Sequence, residues 1–481
     1  MTATIQTSPS VTLSRNELGV AHIVFLVLAA VAPLTGMVVV ASIGMAVGNG
    51  GGMAASFVVV TAVMLCFAVG YGQMSKTMVS AGGFYAYTVR ALGNRAGLVS
   101  GLIALLGYNG FVIGAFGTTG FFFQAILGPL IGVEIPWVTW SLIMGAAAWI
   151  FTRQGVSFSA KFLGVSLVLE MAVLLVLDFV ILSRTGFAIR AFSPQAIGQG
   201  SLGLGLLFAA NAFVGFEATG LFSEEAKEPG KTIPKATIIA ISLIGAFATF
   251  TTWAFISALG VMETQSVALE HLAAGDLVFA IADAYLGPGY TFVMQLLLLV
   301  SLFAALLALH SSATRYLYAL GRARVLPQWL SRTRSLNGAP VNASLVQIAL
   351  SLAVVGVFAV VGADPMTSLV PAMTGFGTLG IISLQLLAAI AIIVNFRRNR
   401  DPRIWSTLVM PSIGALGLAV IVTLAIANFG TMAGSDSPVI AALPWLLPIA
   451  VIVGLVYSQI LKRTRPVTYA GLGNDIEALA S

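Results

Sequence analysis

Twelve stretches of about 20 mostly apolar residues, nearly free of charge, leave this chain few ways to fold. They lie near 20–48, 52–74, 97–126, 136–152, 158–182, 200–222, 236–260, 290–316, 343–361, 368–395, 404–429 and 439–461. Each is long enough to cross the hydrocarbon of a bilayer as a helix, so the expectation is an all-α polytopic membrane protein with 12 transmembrane helices. Composition agrees. Charged residues make up 8% of the 481, against about 25% in a soluble chain. The 51 glycines and 18 prolines suit membrane helices, which carry more of both than soluble ones. The single Cys66 lies inside an apolar run, which excludes a disulfide scaffold.

Charge fixes the expected orientation. An even number of spans puts both termini on one side. With that side cytoplasmic, 21 of the 23 Lys and Arg fall in or beside inner segments, and only Arg184 and Arg190 fall outside. The net charge of +6 is thus sorted by membrane side rather than gathered into a patch for nucleic acid. Residues 1–17 are polar, lack the plan of a signal peptide, and read as a cytoplasmic tail, as do residues 463–481. The segment 261–288 carries four acidic residues and no Lys or Arg, and Val267–Leu286 has the period of a short external helix. The inner loop 73–96 is expected to hold a short amphipathic helix lying on the bilayer.

Two spans are poor continuous helices. The first contains Ala32-Pro33-Leu34-Thr35-Gly36; the sixth contains Asn211-Ala212-Phe213-Val214-Gly215-Phe216-Glu217, with a carboxylate at bilayer depth. Pro removes a helical N–H and Gly weakens a helix interior. In hydrocarbon, the freed backbone groups must be satisfied by protein, ligand or water. Paired interruptions five helices apart are the pattern of an inverted repeat of five plus five helices, with a binding site at its centre. The expected division is 18–183 and 199–396 for the two repeats, then 403–462 for helices 11 and 12. Taken singly, either interruption reads more readily as a simple kink.

The residues resemble a known family. Phe213-Val214-Gly215-Phe216-Glu217, followed by Ser223-Glu224-Glu225-Ala226-Lys227-Glu228-Pro229 and Ile233-Pro234-Lys235-Ala236, is similar to the sixth-helix signature of the amino acid–polyamine–organocation permeases. Ala81-Gly82-Gly83-Phe84-Tyr85-Ala86-Tyr87 resembles their loop after the second helix. Arg315-Tyr316-Leu317-Tyr318-Ala319-Leu320-Gly321-Arg322 with Leu326-Pro327 resembles the end of their eighth helix, and Pro340-Val341-Asn342-Ala343 the start of their ninth. The resemblance implies a LeuT-type ten-helix inverted-repeat core with helices 1 and 6 broken, two peripheral helices, and alternating-access transport of amino acids or amines. Many relatives have a Gly-Ser/Ala-Gly-like turn in the first helix, where this chain has Pro33-Leu34-Thr35-Gly36.

A zwitterionic substrate needs donors for its carboxylate and acceptors for its ammonium, and broken helices offer both at their half-helix ends. The expected donors lie around Thr35, Gly36 and Met37, with Pro33 and Leu34 at the break; the carbonyls of Asn211, Ala212 and Phe213 would take the ammonium. Phe213 or Phe216 would wall the side-chain pocket beside Gly215. Glu217 either pairs with a substrate amine or caps backbone N–H groups in the break. Tyr108 and Asn109, near mid-depth on the third helix, either touch substrate or hold helices together.

Glu170, deep in the fifth span, stands at or near the position where proton-coupled relatives carry a Lys. Intramembrane carboxylates are rare and usually functional. It can load a proton, hold a cation or the second amine of a diamine, or serve a structural pair; Ser301 on the eighth helix falls about where relatives contribute to the same site. Asp178, nearer the outer end, is expected to reach interfacial water, and His310 to be a packing hydrogen bonder or a titrating group. Glu224, Glu225 and Glu228 read as surface charge, or as a gate pairing with Lys76, Arg315 or Arg322.

The expectation is a secondary transporter of amino acids or related amines in a bacterial plasma membrane, with proton-coupled import. Its alternatives are a polyamine importer, a precursor/product antiporter and a transport-dead nutrient sensor. The partners are the substrate, protons and lipid, with no cofactor and no nucleic acid, in a monomer or homodimer. No charged ring or filter suggests a channel. His22, His271 and His310 are too scattered for an intramembrane enzyme, and no Walker A motif is present for a pump.

Overall fold

A computed structural model describes residues 18–77, 83–154, 160–217, 219, 226–334, 338–431 and 438–472. Its elements are helical. The first span is α1 (Val20–Val31) and α2 (Pro33–Val47), whose axes meet at 44°. The bend has a local cause: Ala32 is left-handed at φ 51°, and Pro33 supplies no N–H. Residues Gly36–Ala41 of α2 are wound as a π-helix before α-geometry resumes.

There follow α3 (Met53–Thr77), α4 (Gly83–Leu92), α5 (Asn94–Ile131), α6 (Trp137–Gln154) and α7 (Ala160–Thr185). The second half comprises α8 (Leu202–Asn211), α9 (Pro229–Leu259), α10 (Thr264–Glu270), α11 (Leu277–Leu286), α12 (Pro288–Arg322) and α13 (Val341–Val360). Then come α14 (Pro365–Arg398), α15 (Trp405–Thr431), α16 (Pro438–Thr464) and α17 (Pro466–Gly471). Prolines at the first turns of α9 and α12, and a left-handed Gly132 closing α5, are the usual punctuation of helix ends.

Among the described residues nine helices are long and apolar enough to cross a membrane, or ten if the bent pair counts as one span. The chain is therefore a multi-pass, all-helical membrane protein. Large apolar side chains such as Val168 (59%), Phe179 (63%) and Leu416 (68%) stand exposed on helices whose other faces are buried, as a lipid-facing surface requires.

Within the bundle, helices meet through glycine. A Cβ on Gly110 of α5 would stand 2.9 Å from the Gly377 nitrogen of α14, and one on Gly380 would stand 2.7 Å from Gly107 Cα. Small residues let membrane helices approach backbone to backbone, where dispersion replaces the missing hydrophobic drive.

The break expected in the sixth span is present: a ten-residue α8 gives way to turns at 212–217. Two other expectations change. The external segment is two helices, because Gly275 at φ 62° and a 2.7 Å His271–Asp276 contact turn the chain between them. The inner α4 does not lie on the bilayer. Phe84, Tyr85, Tyr87 and Val89 are buried, and Phe84 packs edge-on to Phe67, Tyr71 and Phe216.

Candidate functional site

Where α1 breaks, Leu34 is left with an N–H that no preceding helical turn can take. It is donated at 3.2 Å to Glu170 Oε2 on α7. The same oxygen accepts Ser301 Oγ of α12 at 3.0 Å, while Oε1 accepts Ser166 Oγ, one helical turn before Glu170, at 2.9 Å. Thr35 Oγ1 lies 2.9 Å from Ser301 Oγ. With Glu170 ionised, the Ser301 proton is committed to it and Thr35 is the donor in that pair. One buried carboxyl thus ties the start of α2 to α7 and α12.

The second break is organised by its own carboxyl. Gly215 sits at φ 110°, a conformation open to glycine and strained for other residues. Its N–H is donated to Glu217 Oε2 at 2.9 Å, so Glu217 caps the break. Glu217 Oε1 accepts the Tyr108 hydroxyl of α5 at 2.6 Å. The Tyr108 ring stacks on Tyr316 of α12 at 5.1 Å, and Tyr71 of α3 donates to the Glu217 carbonyl at 3.4 Å. Beside this group Asn211 donates from Nδ2 to Thr378 Oγ1 of α14 at 2.8 Å. Asn109 donates to the Leu105 carbonyl, and its buried Oδ1 has no hydrogen-bond partner among the described residues.

A small cavity of ≈ 20 Å³ opens against both breaks. Pro33, Gly36 and Met37 line it from α2, Ala212 from the second break, Met171 from α7 and Phe247 from α9. Its walls are apolar.

The structure therefore brings Pro33, Thr35, Gly36 and Met37 close to Glu170 and Ser301, and gathers Tyr108, Gly215 and Glu217 at the other break. It moves other expected residues. The donor freed at the first break is Leu34; the Gly36 N–H is already given to the Ala32 carbonyl at 3.0 Å. The Asn211 and Phe213 carbonyls accept turn bonds from Val214 and Phe216. Phe216 is buried in the aromatic cluster with Phe67, Tyr71 and Phe84 and does not line the cavity. Asp178 does not reach water. It is fully buried and accepts Thr251 Oγ1 of α9 at 2.7 Å. His310 is hydrogen-bonded on both ring nitrogens, to Gln347 and Ser344 of α13. Glu228 pairs with Lys231 at 2.7 Å on the surface, whereas Ser223, Glu224 and Glu225 fall outside the described residues.

Sequence reasoning passed over Ser166, Tyr71 and Tyr316. Ser166 was legible, four residues before Glu170 on the same helix face. Tyr316 stood inside a recognised motif without an assigned task.

Contacts tie the two ends of this region. Gln265 of α10 donates to the Ala46 and Gly48 carbonyls at the end of α2, and the Gly51 N–H is donated to Gln199. At the start of the first span Leu18 pairs with Ala226, the Lys227 N–H reaching the Leu18 carbonyl at 2.9 Å.

Comparison with known proteins finds relatives along most of the chain. A branched-chain amino acid permease of Bacillus subtilis is 25% identical over 472 residues, covering 92% of this chain and 93% of its own. Its Lactococcus lactis counterpart is 27% identical over 338 residues, covering 64% and 69%. An uncharacterised transporter of Mycobacterium tuberculosis is 25% identical over 377 residues, covering 77% and 78%. The model of the amino acid permease family matches residues 18–456, and the chain belongs to that family of membrane transporters.

Proposed function

We propose that this permease is a secondary transporter that imports amino acids or related amines across the plasma membrane by alternating access, driven by protons. The observation that carries the reading is the grip of Glu170 on the freed Leu34 N–H, together with Ser301 and Ser166. A deprotonated carboxyl accepts all three donors and holds α2 against α7 and α12. A protonated one must itself donate, so one of the three contacts is exchanged or released. Protonation thus changes how firmly the half-helix beside the substrate site is held.

Other features support the reading. Breaks five helices apart fit a five-plus-five inverted repeat within twelve spans, and a cavity touching both breaks fits a substrate site at their centre. Glu217, Tyr108 and Asn109 supply acceptors and a hydroxyl for an ammonium, and the apolar walls around Met37, Met171 and Phe247 suit an uncharged, aliphatic portion of substrate. The branched-chain permeases among the relatives make branched-chain amino acids the first candidates. Both termini are cytoplasmic in this reading, from the basic inner loops.

The test is transport in proteoliposomes under an imposed inward proton gradient, with amino acids and polyamines as probes and internal pH as readout. Proton entry that depends on probe and vanishes in Glu170→Gln supports symport through Glu170. Uptake that ignores the gradient and requires an internal amino acid or amine replaces it with exchange.

A further inference from the structure

The outer half of α7 carries a second buried carboxyl that the central site does not use. Asp178 is eight residues beyond Glu170, two turns and about 12 Å along the axis, and is 0% exposed. Its Oδ2 accepts Thr251 Oγ1, but its Oδ1 is buried with no hydrogen-bond partner among the described residues. A carboxyl kept at bilayer depth for structure alone is normally paired with a cation or fully hydrogen-bonded. Asp178 is neither.

We propose that Asp178 is a proton-binding site on the external side of the transport centre, a station that takes a proton from outside and passes it to Glu170. This rests on the proton-coupled reading above. Among the described residues, the groups facing Asp178 leave it without a counter-ion. From α9 the neighbour is Thr251, and the lysines of that helix, Lys231 and Lys235, stand in its first two turns at the other end. From α12 it is Tyr290, whose hydroxyl is given to the Val173 carbonyl. The external α11 contributes Asp283 and Tyr285, and Arg184, near the outer end of α7, lies 5.5 Å over the Tyr285 ring. α2 carries no titratable residue, and α1 carries only His22 in its inner first turn.

Partnerless polar atoms recur at this depth. Thr252 Oγ1 on α9, like Asp178, stands seven residues from the outer end of its helix, and Ser42 Oγ on α2 is also buried with no partner among the described residues. Between the two carboxyls lie Leu174 and Leu177, both fully buried, which insulate Asp178 from Glu170 in this conformation. Transfer therefore accompanies movement of α2 and α7 past one another. The step itself is a balanced exchange: Asp178 carboxylate gains one proton from external water, then loses it as Glu170 carboxylate gains it, with no other bond changed.

Asparagine distinguishes this role from a structural one, because its side-chain oxygen still accepts from Thr251 while the group cannot carry a proton. The experiment uses the full chain in proteoliposomes. Infrared difference spectra are recorded across about pH 5 to 8, and leucine serves as the transport probe. The expected result is a protonated-carboxyl band that grows on acidification, persists in Glu170→Gln and is lost in Asp178→Asn. Leucine uptake in Asp178→Asn is expected to fall by about tenfold or more with unchanged thermal stability, and to recover in part in Asp178→Glu. A spectrum identical in wild type and Asp178→Asn overturns the proposal, as does Asp178→Asn uptake with the wild-type rate and pH profile. Wild-type uptake indifferent to the proton gradient would instead sink the coupling reading, whatever the spectrum reports of Asp178.

Discussion

The Leu34 N–H and the Glu170 carboxyl, 136 residues apart in sequence, meet at 3.2 Å where the first spanning helix breaks. The contact joins a backbone group that hydrocarbon cannot satisfy to a carboxyl that hydrocarbon cannot tolerate alone, and each removes the other's cost. Glu170→Gln puts an amide NH₂ among three donors. It is expected to lower stability by about 1–3 kcal/mol, seen as an earlier thermal transition in detergent, and to abolish proton-dependent uptake.

Ser301→Ala removes one donor to Glu170 and strands the Thr35 hydroxyl, but leaves the carboxyl in place. Its expected outcome is milder: proton-dependent uptake persists, with a stability loss of about 1–2 kcal/mol. A variant as inactive as Glu170→Gln would show that Ser301 does more than hold the carboxyl.

Tyr108→Phe keeps the ring against Tyr316 and deletes the hydroxyl that Glu217 accepts at 2.6 Å. Losing one buried hydrogen bond is expected to lower stability by about 1–3 kcal/mol, and freeing Glu217 Oε1 to change probe affinity, measured by binding to purified protein. Unchanged affinity would mean that Glu217 serves the break alone.

Gly377→Ala tests the α5–α14 seam, since its Cβ would stand 2.8 Å from the Phe111 backbone nitrogen. Neither backbone can yield locally, so a destabilisation of about 1–3 kcal/mol is expected in thermal unfolding. Gly289→Ala, where a Cβ meets nothing within 4 Å, is the matched control.

In the loop between α14 and α15, hydrogen bonds from the Arg403 guanidinium hold the Asp401 carboxyl down at about 2. A depressed carboxyl contributes above its unfolded value of about 3.9 and loses that contribution only as pH falls through the folded value. Asp401 therefore stays charged across the range where transport is measured, and Asp401→Asn is expected to leave the pH profile of uptake unchanged. A shifted profile would show the loop to be part of the proton-dependent machinery.

Much of the frame was legible in the chain. Apolar runs located most spans, and Pro33 and Gly215 marked the breaks, because both residues act on the backbone locally. The pairing of Glu170 with Ser301 followed from resemblance. Leu34 was not legible as the donor, since the orphaned N–H depends on the left-handed turn at Ala32, which sequence does not announce for an alanine. Asp178 was misjudged for a different reason: its distance from the helix end suggested water, but it is covered by packing that includes α9, whose Thr251, 73 residues away, bonds it. Phe216 was misassigned because a turn decides which way its ring faces.

Alanine, not glycine, occupies the left-handed position at the first break. An L-residue held there stores about 1–2 kcal/mol of backbone strain that glycine would not feel. The hinge is thus spring-loaded, kept cocked by contacts from α7 and α12 rather than by its own preference. Were those contacts removed, Ala32 would have a downhill path away from its present geometry.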